Sequence, residues 1–97
     1  MKSPIKADTW VWVVVQNPGA NEQFLGQYDQ TNEISFIPAF YEKEHAQQCF
    51  LQMDRQKGQT YEIQAILYEE LAREAVKNGF MIFLLNATGE ILDKIKP

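Results

Sequence analysis

One cysteine, one histidine and two serines in 97 residues leave little material for side-chain chemistry. A lone Cys49 excludes an internal disulfide and suits a reducing compartment. His45 and Cys49 lie four apart on an expected helix, with Glu42 one turn earlier. A structural zinc site takes four ligands and a catalytic one three, and the only histidine and the only cysteine cannot supply more, so no metal or other cofactor is expected. Cys49 instead falls on an apolar stripe, where a thiol behaves as a small hydrophobe. Ser3 and Ser35 sit in no glycine-flanked nucleophile elbow, and neither a dinucleotide fingerprint nor a phosphate loop occurs. Glu69, Glu70 and Glu74 read as a solvated helix face with Arg73 and Lys77 as local partners. No catalytic residue, and no enzyme, is expected.

Positive charge is also scarce. Nine basic residues against thirteen acidic ones give a net charge of -4, with no cluster of Lys or Arg. Duplex nucleic acid and anionic membranes are held mainly by such clusters, so neither is an expected partner. No apolar run approaches the roughly 20 residues of a membrane span, and the opening residues lack the apolar stretch and cleavage site of a secretory signal. The expected location is the cytoplasm. Asn86-Ala87-Thr88 matches a glycosylation triplet but reads as turn residues.

What the chain does have is apolar residues, 45% of the total, concentrated in two unbroken runs. These are Trp10-Val11-Trp12-Val13-Val14-Val15 and Phe80-Met81-Ile82-Phe83-Leu84-Leu85. Alternate side chains of a strand face opposite sides of its sheet, so each run implies a strand covered on both sides. The first stops at Asn17-Pro18-Gly19, a turn signal. Residues 24–28 suggest a short strand weakened by Gly26, and residues 33–38 a third strand that Pro38 should end. From Tyr41 the period changes: Ala46, Cys49, Phe50 and Met53 form a helical stripe, with Gly58 as terminator. Residues 60–66 alternate as a strand, residues 67–77 form a second helix closed by Asn78-Gly79, and residues 90–95 form a final edge strand. The expectation is one α+β domain over residues 1–97, order β-β-β-α-β-α-β-β. It has a mixed five- or six-stranded sheet with both helices mainly on one face.

That arrangement leaves one apolar sheet face without a helix. The expected role is a non-enzymatic protein-interaction or assembly domain that pairs with itself as a homodimer through that face, with Trp10, Trp12, Phe80 and Phe83 as candidate interaction residues. Alternation forbids all four from sharing a face without a bulge. A lid made from residues 17–33 and the N-terminal arm would remove the need for a partner. The competing function is small-molecule or peptide binding in a cleft near the start of the first helix, lined by Phe40, Tyr41, His45 and Asn86.

The segment Phe36-Ile37-Pro38-Ala39-Phe40-Tyr41-Glu42-Lys43-Glu44-His45-Ala46 resembles the N-terminal domain of the bacterial SseB family, named for enhanced serine sensitivity. There a strand ends at proline and an aromatic residue leads into a helix. The opening apolar strand, the helix from Leu67 to Lys77 and the strand from Gly79 to Asn86 are similar in order and spacing, with Ala87 where the family often has proline. A chloroplast import protein family is similar more loosely. The resemblance implies a bacterial, cytoplasmic protein of mixed α+β fold, and it carries over no activity, cofactor or catalytic residue.

Overall fold

The computed structural model describes residues 5–53 and 55–97; Met1–Pro4, with Ser3, and Asp54 lie outside the described residues. The elements in chain order are β1 (Trp10–Gln16), β2 (Gln23–Phe24), β3 (Gln27–Asp29), β4 (Ile34–Ala39), α1 (Lys43–Phe50), β5 (Tyr61–Leu67), α2 (Tyr68–Asn78), β6 (Met81–Leu85) and β7 (Ile91–Ile95). The α+β class is as expected, and both apolar runs are strands. Gly79, at φ 76°, takes the left-handed cap of α2, and the next amide, Phe80 N, reaches back to Ala75 O at 2.8 Å. Helix α1 is shorter than its stripe suggested. Beyond Met53 the next apolar side chain is Tyr61, so nothing anchors a longer helix. Met53 still joins the core from a turn in which its amide bonds Phe50 O at 3.1 Å.

The single sheet expected from the sequence is two sheets, β2-β1-β5 and β3-β4-β6-β7. They touch where Trp12 and Phe40 exchange backbone bonds of 2.7 and 2.9 Å. Continued from that bridge, β1 and β4 would be antiparallel neighbours. Residues 23–29 split them instead. Phe24 pairs with Val15, Leu25 N bonds Val14 O at 2.8 Å, and Gln27 to Asp29 pair with β4. The segment expected as one strand is therefore a wedge whose two halves serve different sheets. Gly26 is the hinge, because a Cβ there would meet Phe80 Cε1 at 3.1 Å.

Pro38 does not end β4, which runs on to Ala39 and pairs in parallel with β6, Pro38 opposite Phe83. The ladder explains this. Phe40 N bonds toward β1, so two residues earlier the donor that proline lacks would also point to that side. That side is the seam between β3 and the Trp12 bridge, where no strand pairs with Pro38.

The helices lie on opposite faces, which corrects the one-face expectation. Val11, Val13, Val15, Ile37, Ala39, Ile82 and Leu84 pack with Tyr68, Leu71 and Ala75 of α2, joined by Ile5 from the N-terminal arm. Trp12, Phe36, Phe40, Met81, Phe83 and Leu85 pack with Ala46 and Cys49 of α1. The two sets alternate residue by residue along β1, β4 and β6, as opposite faces must. Strand β5 causes the difference. It lies beyond β1, so the chain leaves β4 over one face through α1 and returns to β6 over the other through α2.

Candidate functional site

With a helix on each side, the bare face that motivated the interaction candidates is absent among the described residues. Phe83 is 1% exposed, stacked on Phe36 at 4.1 Å between centroids with Lys94 Nζ 5.3 Å above its ring. Trp12 is half-buried beneath α1, with Lys43 Nζ 5.6 Å from its ring. Phe80 packs on the other face, against the α2 core. Of these four, only Trp10, 59% exposed, presents its ring to solvent.

The cleft candidates are not brought together either. Phe40 is wholly buried and Tyr41 is exposed. His45 Nε2 lies 3.1 Å from Glu42 Oε2 on the helix surface. Asn86 organises the β6–β7 turn: its Oδ1 accepts from Thr88 N at 3.1 Å and Glu90 N at 2.9 Å, and its Nδ2 donates to Glu90 Oε1 at 3.0 Å. Hydrogen bonds from Asn86 and Thr88 hold the Glu90 carboxyl below its ordinary pKa. Burial pushes the Cys49 thiol up, as suits a core residue and not a reactive one. Among the described residues no three His, Cys, Asp or Glu side chains could hold a metal, and no helix is long and apolar enough to cross a membrane.

The feature the sequence reading passed over is the free edge of β5. Asn17 N donates to Thr60 O at 2.8 Å, Tyr68 N donates to Thr9 O at 2.8 Å, and the β1–β5 register between them is unbroken. Residues of an antiparallel pair alternate between bonding the neighbour and pointing away from it. Thr60, Glu62, Gln64, Ile66 and Tyr68 thus face β1, and the N–H and C=O groups of Tyr61, Ile63, Ala65 and Leu67 face outward. On that side β5 ends its sheet, and no strand pairs with these four residues among the described residues; the Leu67 carbonyl, at the N-cap of α2, is taken by the first turn of that helix, which leaves four outward N–H groups and the carbonyls of Tyr61, Ile63 and Ala65. The edge is seven residues long, without proline or a basic residue, and Glu62 is its single charge. It is also held in place. Tyr61 Oη accepts from Gln56 N at 2.8 Å, and Asn17 joins the Gln59 side chain and Thr60 N across the neighbouring loop. The signal was in the sequence, as an alternating strand free of Lys and Pro.

Other rims of the sheets are defended. Strand β7 carries Asp93 and Lys94, and its register with β6 breaks between Leu84 and Leu85. Charge, shortness and bulges all discourage strand pairing. Strands β2 and β3 are two and three residues long. Beside the wedge lies an open cavity of about 650 Å³, lined by Phe80, Tyr28, Tyr61, Arg55 and several amide side chains, among them Gln16 and Gln23. Neither it nor two smaller cavities include Phe40, Tyr41, His45 or Asn86.

Comparison with protein-family models, with curated proteins and with solved structures finds no match to this chain.

Proposed function

We propose that the chain is a non-enzymatic protein-interaction and assembly domain that takes up its partner as an added strand along β5. The single observation that supports this is the outward row of backbone donors at Tyr61, Ile63, Ala65 and Leu67, with the acceptors of the first three, on an edge with none of the usual guards. Strand addition draws affinity from main-chain bonds and selectivity from alternate side chains. Here those side chains are the outward edge's own Tyr61, Ile63, Ala65 and Leu67 on the α1 face, and Glu62, Gln64 and Ile66 on the α2 face. A bacterial cytoplasmic setting belongs to the same proposal: the SseB-type segment from Phe36 to Ala46 suggests it, and the buried free thiol of Cys49 suits it.

The second reading, a small-molecule or peptide site, draws support from the cavity at the wedge, whose size falls in the range of about 300–1,000 Å³ common for ligand pockets. It no longer involves the cleft residues.

The test is a panel of extended peptides with alternating apolar and polar residues, including a peptide of residues 60–67 of this chain. Amide hydrogen exchange of the protein is followed by NMR. Binding should slow exchange at Tyr61, Ile63, Ala65 and Leu67, with Glu62, Gln64 and Ile66 already slow in the free chain. Ala65→Pro should abolish the effect, because the donor it removes points away from β1. A panel that slows none of those four amides, or slows amides around Phe80 and Tyr28 instead, would overturn the proposal.

A further inference from the structure

The strand that β5 receives is, we infer, β5 of a second copy, laid antiparallel about a two-fold axis at Gln64. The inference rests on the strand-addition proposal and names its partner. Outward-facing groups can bond only other outward-facing groups, so Tyr61, Ile63, Ala65 and Leu67 must pair among themselves. A one-residue slip sets them against residues whose groups are spent on β1. Among the registers left, the one centred on Gln64 is alone in setting all four residues opposite one another, with Tyr61 opposite the partner's Leu67, whose N–H it can accept, and Ile63 opposite the partner's Ala65. Centring on Ile63 or Ala65 strands the groups at one end.

Side chains agree with this register. The α1 face gains two aromatic–aliphatic pairs and two aliphatic pairs. On the other face Gln64 meets the partner's Gln64, and Glu62 lies opposite the partner's Ile66, away from the partner's Glu62. A register centred on Glu62, or a parallel arrangement in register, would oppose the two carboxylates. The Gln64 amide already donates to Glu62 Oε1 at 3.0 Å, which leaves its carbonyl oxygen toward the axis to accept from its counterpart.

The same geometry accounts for Trp10. It pairs with Leu67 and shares its face, yet it is the most exposed aromatic ring of the α1 side. In the pair, Leu67 sits between Trp10 and the partner's Tyr61, so the two rings are two strand spacings apart, about 10 Å between backbones. In this register Trp10, Leu67 and the partner's Tyr61 share one face of the paired sheet, and the Tyr61 ring already packs with Phe50 at 5.5 Å. The contact extends the interface beyond a bare ladder, and the paired sheet runs β2-β1-β5-β5-β1-β2.

The deciding experiment is disulfide trapping with sedimentation on the full chain. Directly opposed residues that do not exchange backbone bonds sit about 4.5 Å apart at Cα, within reach of a disulfide. Gln64→Cys should give a covalent dimer under mild oxidation, and Glu62→Cys should not. The unsubstituted chain, with Cys49 buried, serves as the blank. Sedimentation should show a monomer–dimer equilibrium weakened at least tenfold by Ala65→Lys and by Trp10→Ala; Ala65→Lys keeps the backbone intact should Ala65→Pro fail to fold. A chain monomeric at millimolar concentration, with no Gln64→Cys dimer, overturns the inference, and the peptide panel then decides whether strand addition survives without it. A dimer that persists in Ala65→Lys overturns the edge, and one that traps through Glu62→Cys overturns the register.

Discussion

Asn86 shows how one side chain can look like a ligand contact and be a brace. Its side chain closes the β6–β7 turn through four hydrogen bonds, two of them accepted from backbone amides and one from the Thr88 hydroxyl. Asn86→Ala should destabilise the fold by about 1–2 kcal/mol in urea unfolding, since each lost bond of this kind counts for about 1 kcal/mol. The same substitution should return the Glu90 carboxyl toward its ordinary pKa, because Asn86 is the first cause of its depression. A depressed carboxyl supports the native state above its unfolded pKa and loses that support as pH falls through the lowered value. The unsubstituted chain should therefore lose this contribution on acidification, and Asn86→Ala, which keeps only the Thr88 bond to Glu90, should lose less; NMR titration of Glu90 checks it. Its turn role was readable from Asn86-Ala87-Thr88-Gly89. The cleft role failed because nothing local says that Phe40, a few residues before α1, points into the core.

The wedge is where elements depart furthest from the pattern that encodes them. Turn residues marked most boundaries well: Asn17-Pro18-Gly19 ends β1, and Gly79 closes α2. Gly26 was visible as a weak point, but which strand each half would join depends on residues far along the chain, and periodicity holds no such information. Pro38 misled for the same reason, since a proline stops a strand only where its missing donor faces a neighbour. Gly26→Ala should cost about 1–3 kcal/mol through the Phe80 ring, as overpacking does. In a Phe80→Ala background the added methyl should cost much less. A double-mutant cycle by thermal melting reads the coupling, and additivity would show that the ring does not set the constraint.

At the scale of the whole molecule, the two apolar runs announced strands covered on both faces, and they are. The error lay in assigning both helices to one side: an apolar stripe reveals that a helix covers something, not which face, and the position of β5 beyond β1 decides that. A molecule with two cores makes a sharp contrast between residues that look alike in sequence. Phe83→Ala should cost about 3–5 kcal/mol as a core truncation, and Trp10→Ala under about 0.5 kcal/mol when melted at high dilution. Equal losses would mean that Trp10 is core after all. The unequal rims of the sheets carry a consequence for stoichiometry. A subunit sticky at both ends polymerises, whereas the sheet that β5 opens ends at its other rim in the two-residue β2, too short to template a further strand. If β5 pairs with its own copy as inferred, growth should stop at two, and crowding such molecules together should yield more pairs in place of longer fibrils.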